Sequence, residues 1–339
     1  MKRLSLLFSI VAITLCLYAQ QAYNKAVIGF YNLENLFDTL DDPNKNDEQF
    51  LPGGDYQWNT ARYTAKLHAL SKVISEMAKM DGGLVVLGVS EIENEQVLLD
   101  LAASELLHPY HLSVCHHESP DRRGVDVAFF YDASRFKIVS TRAFPTVVPN
   151  NPDFITRDQW LMTGVLDGVD TLDIVVNHWP SKSGGEQRSL PGRMAAGQLG
   201  RSIADSVLNS RPNAKFIYMG DLNDNPTSKC IMVEMGTKTK PEKLTPTDLY
   251  NPMWKLFRDG HGSYAYRDSW EMLDNIIISG ALVNAAPGTY RFRTANIFRR
   301  DFMFTKTGSY MDYPYRTFAG GNYQGGYSDH LPVYIVLSR

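Results

Sequence analysis

Apolar residues recur along the chain in short runs bounded by Gly, Pro, Asn and Asp, a pattern typical of β-strands. It predicts strands at residues 26–31, 84–89, 125–131, 136–144, 161–166, 171–177, 215–219, 272–279 and 333–337. Helical spacing predicts helices at residues 60–80, 95–107 and 191–209, the last entered through Pro191. Several strands follow one another without a helix, which favours hairpins in mixed sheets. We expect an α/β protein with two packed sheets and helices outside.

The first 19 residues have the pattern of a secretory signal peptide. Lys2 and Arg3 precede an apolar run that is short for a membrane span, and Ala19 stands near the expected cleavage point. We therefore expect an exported protein, periplasmic or extracellular, in which residues 20–339 form one domain. Lipoprotein anchoring through Cys16 is a less favoured alternative, because the preceding residues are not small.

Charge and cysteine content narrow the class of protein further. The net charge of −3 becomes −5 once Lys2 and Arg3 leave with the signal peptide, which argues against long-range attraction to nucleic acid. It does not exclude a nucleic-acid substrate, because a bound divalent cation reverses the local sign. Cys115 and Cys230 allow at most one disulfide in the mature chain, so a large core must stabilise it. We expect a monomer without stable membrane insertion.

Acidic, amide and imidazole residues stand where the apolar runs end. Ligand sites gather at strand ends, because loops converge there over a rigid sheet. Each residue alone has a structural role open to it, such as Glu91 capping the next helix or Asp221 and Asn223 forming an Asx turn. The full set is Asn32, Glu34, Glu91, Asn177, His178, Asp221, Asn223, Asp329 and His330.

The composition of this set indicates the chemistry of the site. It offers several carboxylates, two imidazoles and three amides without a cysteine cluster, which suits Mg²⁺ or Mn²⁺, with Ca²⁺ also possible, rather than structural zinc. Lys182 and Arg188 follow His178 and add cations suited to phosphate. Convergence of these residues would therefore give a site for a divalent cation and a phosphate group.

Five motifs, in order, resemble those of the endonuclease/exonuclease/phosphatase superfamily, which includes deoxyribonuclease I. They are "FYNLENLFD", "GVSEIEN", "MGDLND", "LDNIIIS" and "YSDHLPV", and they span about residues 27–337. The resemblance implies a four-layer α/β/β/α sandwich. It also implies hydrolysis of a phosphoester by a water molecule attacking in line with the leaving oxygen.

On the metal side, the resemblance implies Glu91 as the principal ligand, assisted by Asn32 or Glu34 and by Asp329. Glu34 stands where several members carry aspartate, which leaves its ligand geometry open. Asn32, Lys182 and Arg188 are candidates for contacts with the substrate.

On the catalytic side, Asp221 matches the residue that orients or deprotonates the attacking water, and Asn223 matches an amide contact to phosphate. His178 matches a position that faces phosphate or donates a proton. His330 resembles the histidine that stabilises the phosphoryl oxygens, with Asp274 accepting its other N–H. Such an imidazole needs a carboxylate to orient it and keep it charged.

Two features depart from the pattern or stand outside it. Asp126 is polar within an apolar run, and it is either a partner of His178 or part of a solvent-facing alternation. Residues 38–59 form an acidic insert that imitates the opening of a calcium loop but lacks its glycine and closing glutamate. We expect a surface flap beside the site.

Three classes of function compete. A nuclease or general phosphodiesterase is favoured, because "FYNLENLFD" and "NHWPSKSGGEQRSLPGR" resemble exported bacterial nucleases. A phosphatase or phosphodiesterase acting on an inositol phosphate, on sphingomyelin or on another small or lipid phosphoester is the alternative. A non-catalytic binding module is disfavoured, since no matched catalytic position holds an inert residue.

Overall fold

The computed structural model describes residues 25–149 and 151–339, so the predicted signal peptide and Cys16 lie outside the described residues. The strands are β1 Lys25–Leu36, β2 Leu84–Ile92, β3 Leu112–His117, β4 Asp126–Asp132, β5 Phe136–Phe144, β6 Gln159–Leu166, β7 Asp170–His178, β8 Lys215–Asp221, β9 Thr237–Lys238, β10 Leu249–Tyr250, β11 Tyr264–Tyr266, β12 Ser269–Glu271, β13 Asp274–Ser279, β14 Arg291–Ile297, β15 Phe318–Ala319, β16 Asn322–Tyr323 and β17 Val333–Ser338. The α-helices are α1 Thr60–Ala78, α2 Glu95–Ala103, α3 Glu186–Ser210, α4 Met253–Arg258 and α5 Gly280–Val283.

Two large mixed sheets carry the fold. The first sheet has the strand order β14-β17-β1-β2-β4-β3, and the second has the order β5-β6-β7-β8-β13-β10-β9. In the first sheet, β1 pairs in parallel with β2 and antiparallel with β17. In the second, β8 pairs in parallel with β7 and antiparallel with β13. The expectation of mixed sheets with hairpins is confirmed.

Three apolar layers separate four structural layers. Alternation along β1 sends Ile28 and Phe30 towards the second sheet, whereas Val27 and Tyr31 face α1 and α2. A third cluster packs α3 against the outer face of the second sheet. Helices thus cover both outer faces, and the α/β/β/α sandwich implied by the resemblance is confirmed. Truncating a central residue such as Phe30 would cost roughly 3–5 kcal/mol of unfolding free energy.

Local sequence explains where two helices begin. The side chain of Asn59 accepts a hydrogen bond from the Arg62 N–H at the start of α1, and Asn94 does the same for Val97 at the start of α2. Asn94 therefore caps α2, so the alternative that Glu91 caps this helix is wrong.

The structure corrects several sequence predictions. Helix α3 begins at Glu186 after Gly185, so Pro191 lies inside the helix. Pro191 has no backbone N–H, so the carbonyl of Gln187 lacks its helical hydrogen bond. Because Gln187 is exposed, water can bond to this carbonyl, and the helix tolerates proline here. Strands β3 and β14 were not predicted, since the histidines at the end of β3 and the half-exposed edge position of β14 weaken the apolar signal. The thiols of Cys115 and Cys230 are free, so the possible disulfide does not form.

The acidic insert 38–59 folds onto the first sheet. Trp58 is buried and donates its indole N–H to the carbonyl of Phe37, whose ring stacks on Phe50 at 4.3 Å. Lys45 bonds to Glu118, next to the loop that carries Arg123. Within residues 25–149 and 151–339, no helix has the length and apolarity to cross a membrane.

Candidate active site

Three strands of the second sheet align three predicted residues in one row. His178 at the end of β7 pairs with Asp221 at the end of β8, which pairs in turn with Asp274 at the start of β13. Because β13 runs antiparallel to β8, its first residue lies at the same edge as the last residue of β8. Gly220 allows the close approach of strands here, since a Cβ would lie 2.1 Å from the carbonyl oxygen of Asn177.

The first sheet contributes Asn32 and Glu91 through irregular backbone. The register shifts between Asn32 and Leu36 on β1 and between Ser90 and Ile92 on β2. Glu91 has a φ of +58° within its shift, a costly conformation that re-aims its side chain towards the second sheet. The buried Asn32 amide donates to Glu91 at 3.2 Å and to Asp221 at 3.0 Å, so it positions two carboxylates from opposite sheets.

His330 and Asp274 form a close buried pair. The His330 Nδ1 lies 2.7 Å from the Asp274 Oδ2, and its Nε2 lies 3.7 Å from Asp221 and 4.0 Å from Asp329. Burial lowers the pKa of His330, but the charges of Asp274 and Asp221 outweigh that effect and hold it well above its usual range. Nδ1–H therefore points at Asp274, and Nε2–H faces the cleft as a cationic donor.

Buried carboxylates accumulate around this imidazole. Burial raises the pKa of Asp221 to about 7, against the opposing charge of His330, and the charge of Asp274 adds to the rise. Burial also raises the pKa of Asp329, with a further contribution from Glu91 that His330 opposes. Desolvated carboxylates this close repel one another, so a bound cation would stabilise their ionised forms.

His178 lies in the opposite electrostatic environment. Its Nε2 lies 3.7 Å from Glu91 and 3.6 Å from Asp221, while its Nδ1 has no hydrogen-bond partner among the described residues. Burial lowers the pKa of His178 well below its usual range, and the charges of Arg157 and Arg123 lower it further. The imidazole of His178 is therefore neutral at pH 7.

A pocket of about 350 Å³ opens over these groups. Seven of the predicted residues line it, namely Glu91, His178, Lys182, Asp221, Asn223, Asp329 and His330. The Asx turn also forms, since the Asn223 N–H donates to Asp221 at 2.9 Å, and Asn223 has a φ of +48°. The Asn223 side chain lines the pocket and donates one N–H to the carbonyl of Trp179, which leaves the second N–H of its amide for a phosphate oxygen.

Five predicted residues do not line the pocket. Asn32 and Asp274 bond to residues that do, and the buried Asn177 amide donates to the carbonyl of Met219. Glu34 and Arg188 have no such link to the pocket. The Glu34 carboxylate accepts from the backbone N–H groups of Thr317 and Phe318, and it lies 3.8 Å from the buried Lys66 ammonium. Its oxygens therefore hold the loop that precedes Asp329. Arg188 is exposed on α3 and is not a lining residue.

Both roles expected for Asp126 are wrong. Asp126 is fully buried, so it does not face solvent, and its carboxylate lies 2.9 Å from the Nε2 of His116 rather than near His178. It also accepts from the Ser119 N–H. This pair fixes the start of the loop that leads to Arg123.

Sequence reasoning missed six of the residues that line the pocket. The missed residues are Arg123, Ser181, Tyr264, Tyr266, Glu271 and Leu273. Alternating tyrosines at 264 and 266 were the available signal for a short strand there. Lys182 lies between 3.6 and 3.9 Å from Glu186, Asp224 and Glu271, so its ammonium is held at the rim.

The residues present fit a divalent cation. Glu91, His178 and Asp221 bring one potential ligand atom each within 4.8 Å of one another, and so do Asp221, Asp274 and His330. The second group is internally paired, because His330 bonds to Asp274. The first group, with the repelling carboxylates around it, is the better candidate, and oxygen ligands suit hard cations such as Mg²⁺.

This fold and this site define a phosphoester hydrolase of the deoxyribonuclease I-like class. The model of the Endonuclease/Exonuclease/phosphatase family matches residues 27–339, and the chain belongs to that family. With its acidic and imidazole groups placed for metal binding, it is a divalent-metal-dependent phosphoester hydrolase. No curated protein matches the chain.

Solved structures share the fold at low sequence identity. A humanized TDP2 of D. rerio matches with a TM-score of 0.56 at 12% identity, covering 93% of this chain and 100% of that one. A Bacteroides thetaiotaomicron mannosyl-6-phosphatase matches with a TM-score of 0.52 at 15% identity, covering 93% and 100%. An endonuclease/exonuclease/phosphatase family protein of the same species matches at 0.51 and 15%, covering 92% and 97%.

Proposed function

We propose that this protein is an exported nuclease or phosphodiesterase that acts with Mg²⁺ or Mn²⁺. The observation that carries the proposal is the position of Asp221, within 3.7 Å of two histidines with opposite pKa shifts and at the floor of an open pocket. A carboxylate acceptor, a cationic donor and a neutral imidazole around one point suit in-line attack on phosphorus.

Each residue has a proposed task in that reaction. Asp221 holds the attacking water and accepts its proton. Asn32 donates hydrogen bonds to Asp221 and Glu91 and so fixes the positions of both carboxylates. His330 donates through Nε2–H to a phosphoryl oxygen, and Asp274 maintains its tautomer and charge. Asn223 contacts the phosphate.

The cation would lie against Glu91 and beside Asp221, with His178 and Asp329 as the other candidate contacts. When bound, it would supply Lewis-acid stabilisation of the negative charge that develops on the phosphoryl oxygens. Because His178 is neutral, it can ligate the cation or donate an N–H hydrogen bond to a phosphoryl oxygen, but it does not protonate the leaving oxygen.

The preference for a phosphodiester rests on the resemblance of "FYNLENLFD" and "NHWPSKSGGEQRSLPGR" to exported bacterial nucleases. The pocket contains the carboxylates of Glu91, Asp221, Asp329 and Glu271 and the cations Arg123, Lys182 and His330. A bound divalent cation would offset the excess of carboxylates, so charge alone does not select between a phosphodiester and a phosphomonoester. A phosphatase of a small or lipid phosphoester is the second candidate, since a mannosyl-6-phosphatase has a similar fold.

One parallel assay tests the proposal. Purified protein lacking residues 1–19 is incubated with Mg²⁺ or Mn²⁺ and plasmid DNA, RNA, inositol phosphates or sphingomyelin, with Asp221→Asn as the control. Nicking of plasmid by the wild type alone supports the nuclease. Phosphate release from the small phosphoesters without nicking contradicts it. Export is tested separately, by locating the tagged full-length protein in cell fractions.

A further inference from the structure

Two short segments form a wall beside the pocket. We call them the aromatic wall, which consists of the β11–β12 hairpin, residues 264–271, and of residues 304–316. The Tyr313 hydroxyl joins them, because it donates to the Asp268 carboxylate at 2.7 Å and accepts from the Asp268 N–H. Trp270 and Phe304 also meet across the junction, with ring centroids 6.4 Å apart. The wall is thus one surface built from both segments.

Cations and rings alternate through this surface. The Arg299 guanidinium lies 4.8 Å from the Trp270 ring centroid and 4.9 Å from that of Phe304. Arg316 lies 5.9 Å from the Tyr264 ring and 6.0 Å from the Tyr310 ring. Guanidinium groups at these distances attract ring faces and hold them in place.

The wall begins at the reacting centre. The Tyr264 ring lies 4.9 Å from the imidazole of His330, and both Tyr264 and Tyr266 line the pocket. A substrate whose phosphorus sits near Asp221 and His330 therefore has its flanking groups within reach of the wall.

Two rings of the wall are left open to solvent. Tyr266 is 51% exposed and Tyr310 is 44% exposed, and in residues 25–149 and 151–339 no other aromatic side chain is this open. Arg267 lies over the Tyr266 ring at 5.1 Å. Exposed aromatic residues concentrated at one place and flanked by arginines mark a binding surface rather than a random scatter.

Basic side chains adjoin the rings of the wall. Residues 299–316 contain four basic and two acidic residues, whereas the hairpin 264–271 contains one basic and two acidic residues. A further hollow is lined by Arg299, Arg300 and Lys306 together with Asp301, Phe304 and Asp312. Rings for stacking beside cations for phosphate match single-stranded nucleic acid, where bases stack on aromatic side chains and basic residues follow the backbone.

We propose that the aromatic wall binds unpaired nucleotides that flank the scissile phosphodiester, with base faces on Tyr266 and Tyr310 and phosphates near Arg267 and Arg316. This inference rests on the proposed nuclease function and deepens it, because it assigns a preference for single-stranded or frayed nucleic acid. A paired duplex keeps its base faces stacked inside the helix and cannot offer them to the tyrosines.

Binding without cleavage provides the test. A fluorescein-labelled single-stranded DNA is titrated with full-length mature protein in EDTA, and fluorescence anisotropy gives the Kd. We expect Tyr266→Leu and Tyr310→Leu each to raise the Kd roughly fivefold or more, whereas Tyr266→Phe and Tyr310→Phe, which keep the ring, leave it nearly unchanged. Val233→Ala removes an apolar side chain elsewhere that is 63% exposed, more than either tyrosine, and serves as the control.

An oligonucleotide with abasic sites isolates the stacking contribution. The wild type should bind it several-fold more weakly than the normal strand, and the Leu variants should lose that discrimination. Equal Kd values for wild type and Leu variants, or equal affinity for normal and abasic strands, would overturn the proposal.

Two further experiments complete the test. The first distinguishes failure of the aromatic wall from failure of the proposed function. The second distinguishes a nucleic-acid ligand from a lipid surface. Turnover of methyl phosphodiesters, which have no ring to stack, should be the same in wild type and Tyr310→Leu, since Tyr310 does not line the pocket. If that turnover is absent in the wild type, the proposed function fails; if it is present but the Kd values do not respond, only the wall fails. Binding to sphingomyelin vesicles that is lost in Tyr310→Leu, with no effect on DNA, would assign the wall to a lipid surface and refute the proposal.

Discussion

His330 and His178 lie in the same cleft, are both buried, and face the same carboxylate at nearly equal distances, yet their pKa values move in opposite directions. His330 has a carboxylate partner on its second nitrogen, while His178 has none and stands near two arginines. Burial acts equally on both, so the neighbouring charges decide. One site thus holds a charged imidazole and a neutral one at the same pH, as phosphoester hydrolysis can use.

Asp221→Asn should give the largest loss, because both histidines and Asn32 depend on this carboxylate. An amide cannot accept the proton of the attacking water, so kcat should fall by about 10³-fold. Single-turnover hydrolysis of plasmid or oligonucleotide measures it. Turnover within tenfold of the wild type would remove Asp221 from the proposed mechanism.

His330→Ala should lower kcat by roughly 10²-fold or more, in the range for loss of one electrostatic donor. The matched control is His116→Ala, which breaks another buried histidine–aspartate pair at 2.9 Å outside the pocket. Both variants should lose about 1–3 kcal/mol of unfolding free energy. If His330→Ala loses stability but keeps its turnover, His330 is structural only.

Asp274→Asn should reduce kcat less, by about tenfold, and should also change the pH dependence. The raised pKa of His330 means that this pair stabilises the fold fully below the unfolded pKa of about 6.5 and loses that contribution as pH rises through the folded pKa. Without the charge of Asp274 that pKa falls, so the alkaline limb of kcat/KM moves to lower pH. An unchanged alkaline limb would show that Asp274 does not control the charge of His330.

His178→Ala should weaken binding of the cation, whereas His330→Ala removes the charged hydrogen-bond donor. With Glu91 and Asp221, His178 forms the group best placed to hold a metal, so the Mg²⁺ concentration for half-maximal activity should rise about tenfold. His330→Ala should leave that concentration nearly unchanged. A pure kcat loss in His178→Ala, with the same Mg²⁺ requirement, would instead favour a hydrogen bond from His178 to the phosphoryl group.

The sequence predicted those site residues whose motifs lie at strand ends. Asp221 and His330 stand in short motifs with fixed local geometry, so pattern alone located them. The role of Glu34 was harder to predict, because its carboxylate lies 3.8 Å from the ammonium of Lys66. Lys66 lies on a helix face that the fold buries completely. A buried ammonium in α1 contradicts the usual preference of lysine for solvent, so no local pattern indicated it.

The wall was invisible from sequence for a related reason. Residues 264–271 and 304–316 lie far apart in the chain, and only their contact through Tyr313 and Asp268 creates the surface. The strands β11 and β12 have only three residues each, so the alternating tyrosines of β11 were too short a signal to indicate this surface. Likewise, β14 sits at the edge of its sheet, where half-exposed side chains hide the strand.

Metal dependence of the hydrolysis tests the central claim most directly. The protein is treated with EDTA, freed of chelator, and assayed for phosphodiester hydrolysis after addition of Mg²⁺, Mn²⁺ or Zn²⁺ at equal free concentration. Since Glu91, Asp221 and Asp329 offer oxygens and no thiolate lines the pocket, Mg²⁺ or Mn²⁺ should restore activity better than Zn²⁺, and the apo protein should be inactive. Full turnover in the chelator-treated, metal-free protein would contradict the account.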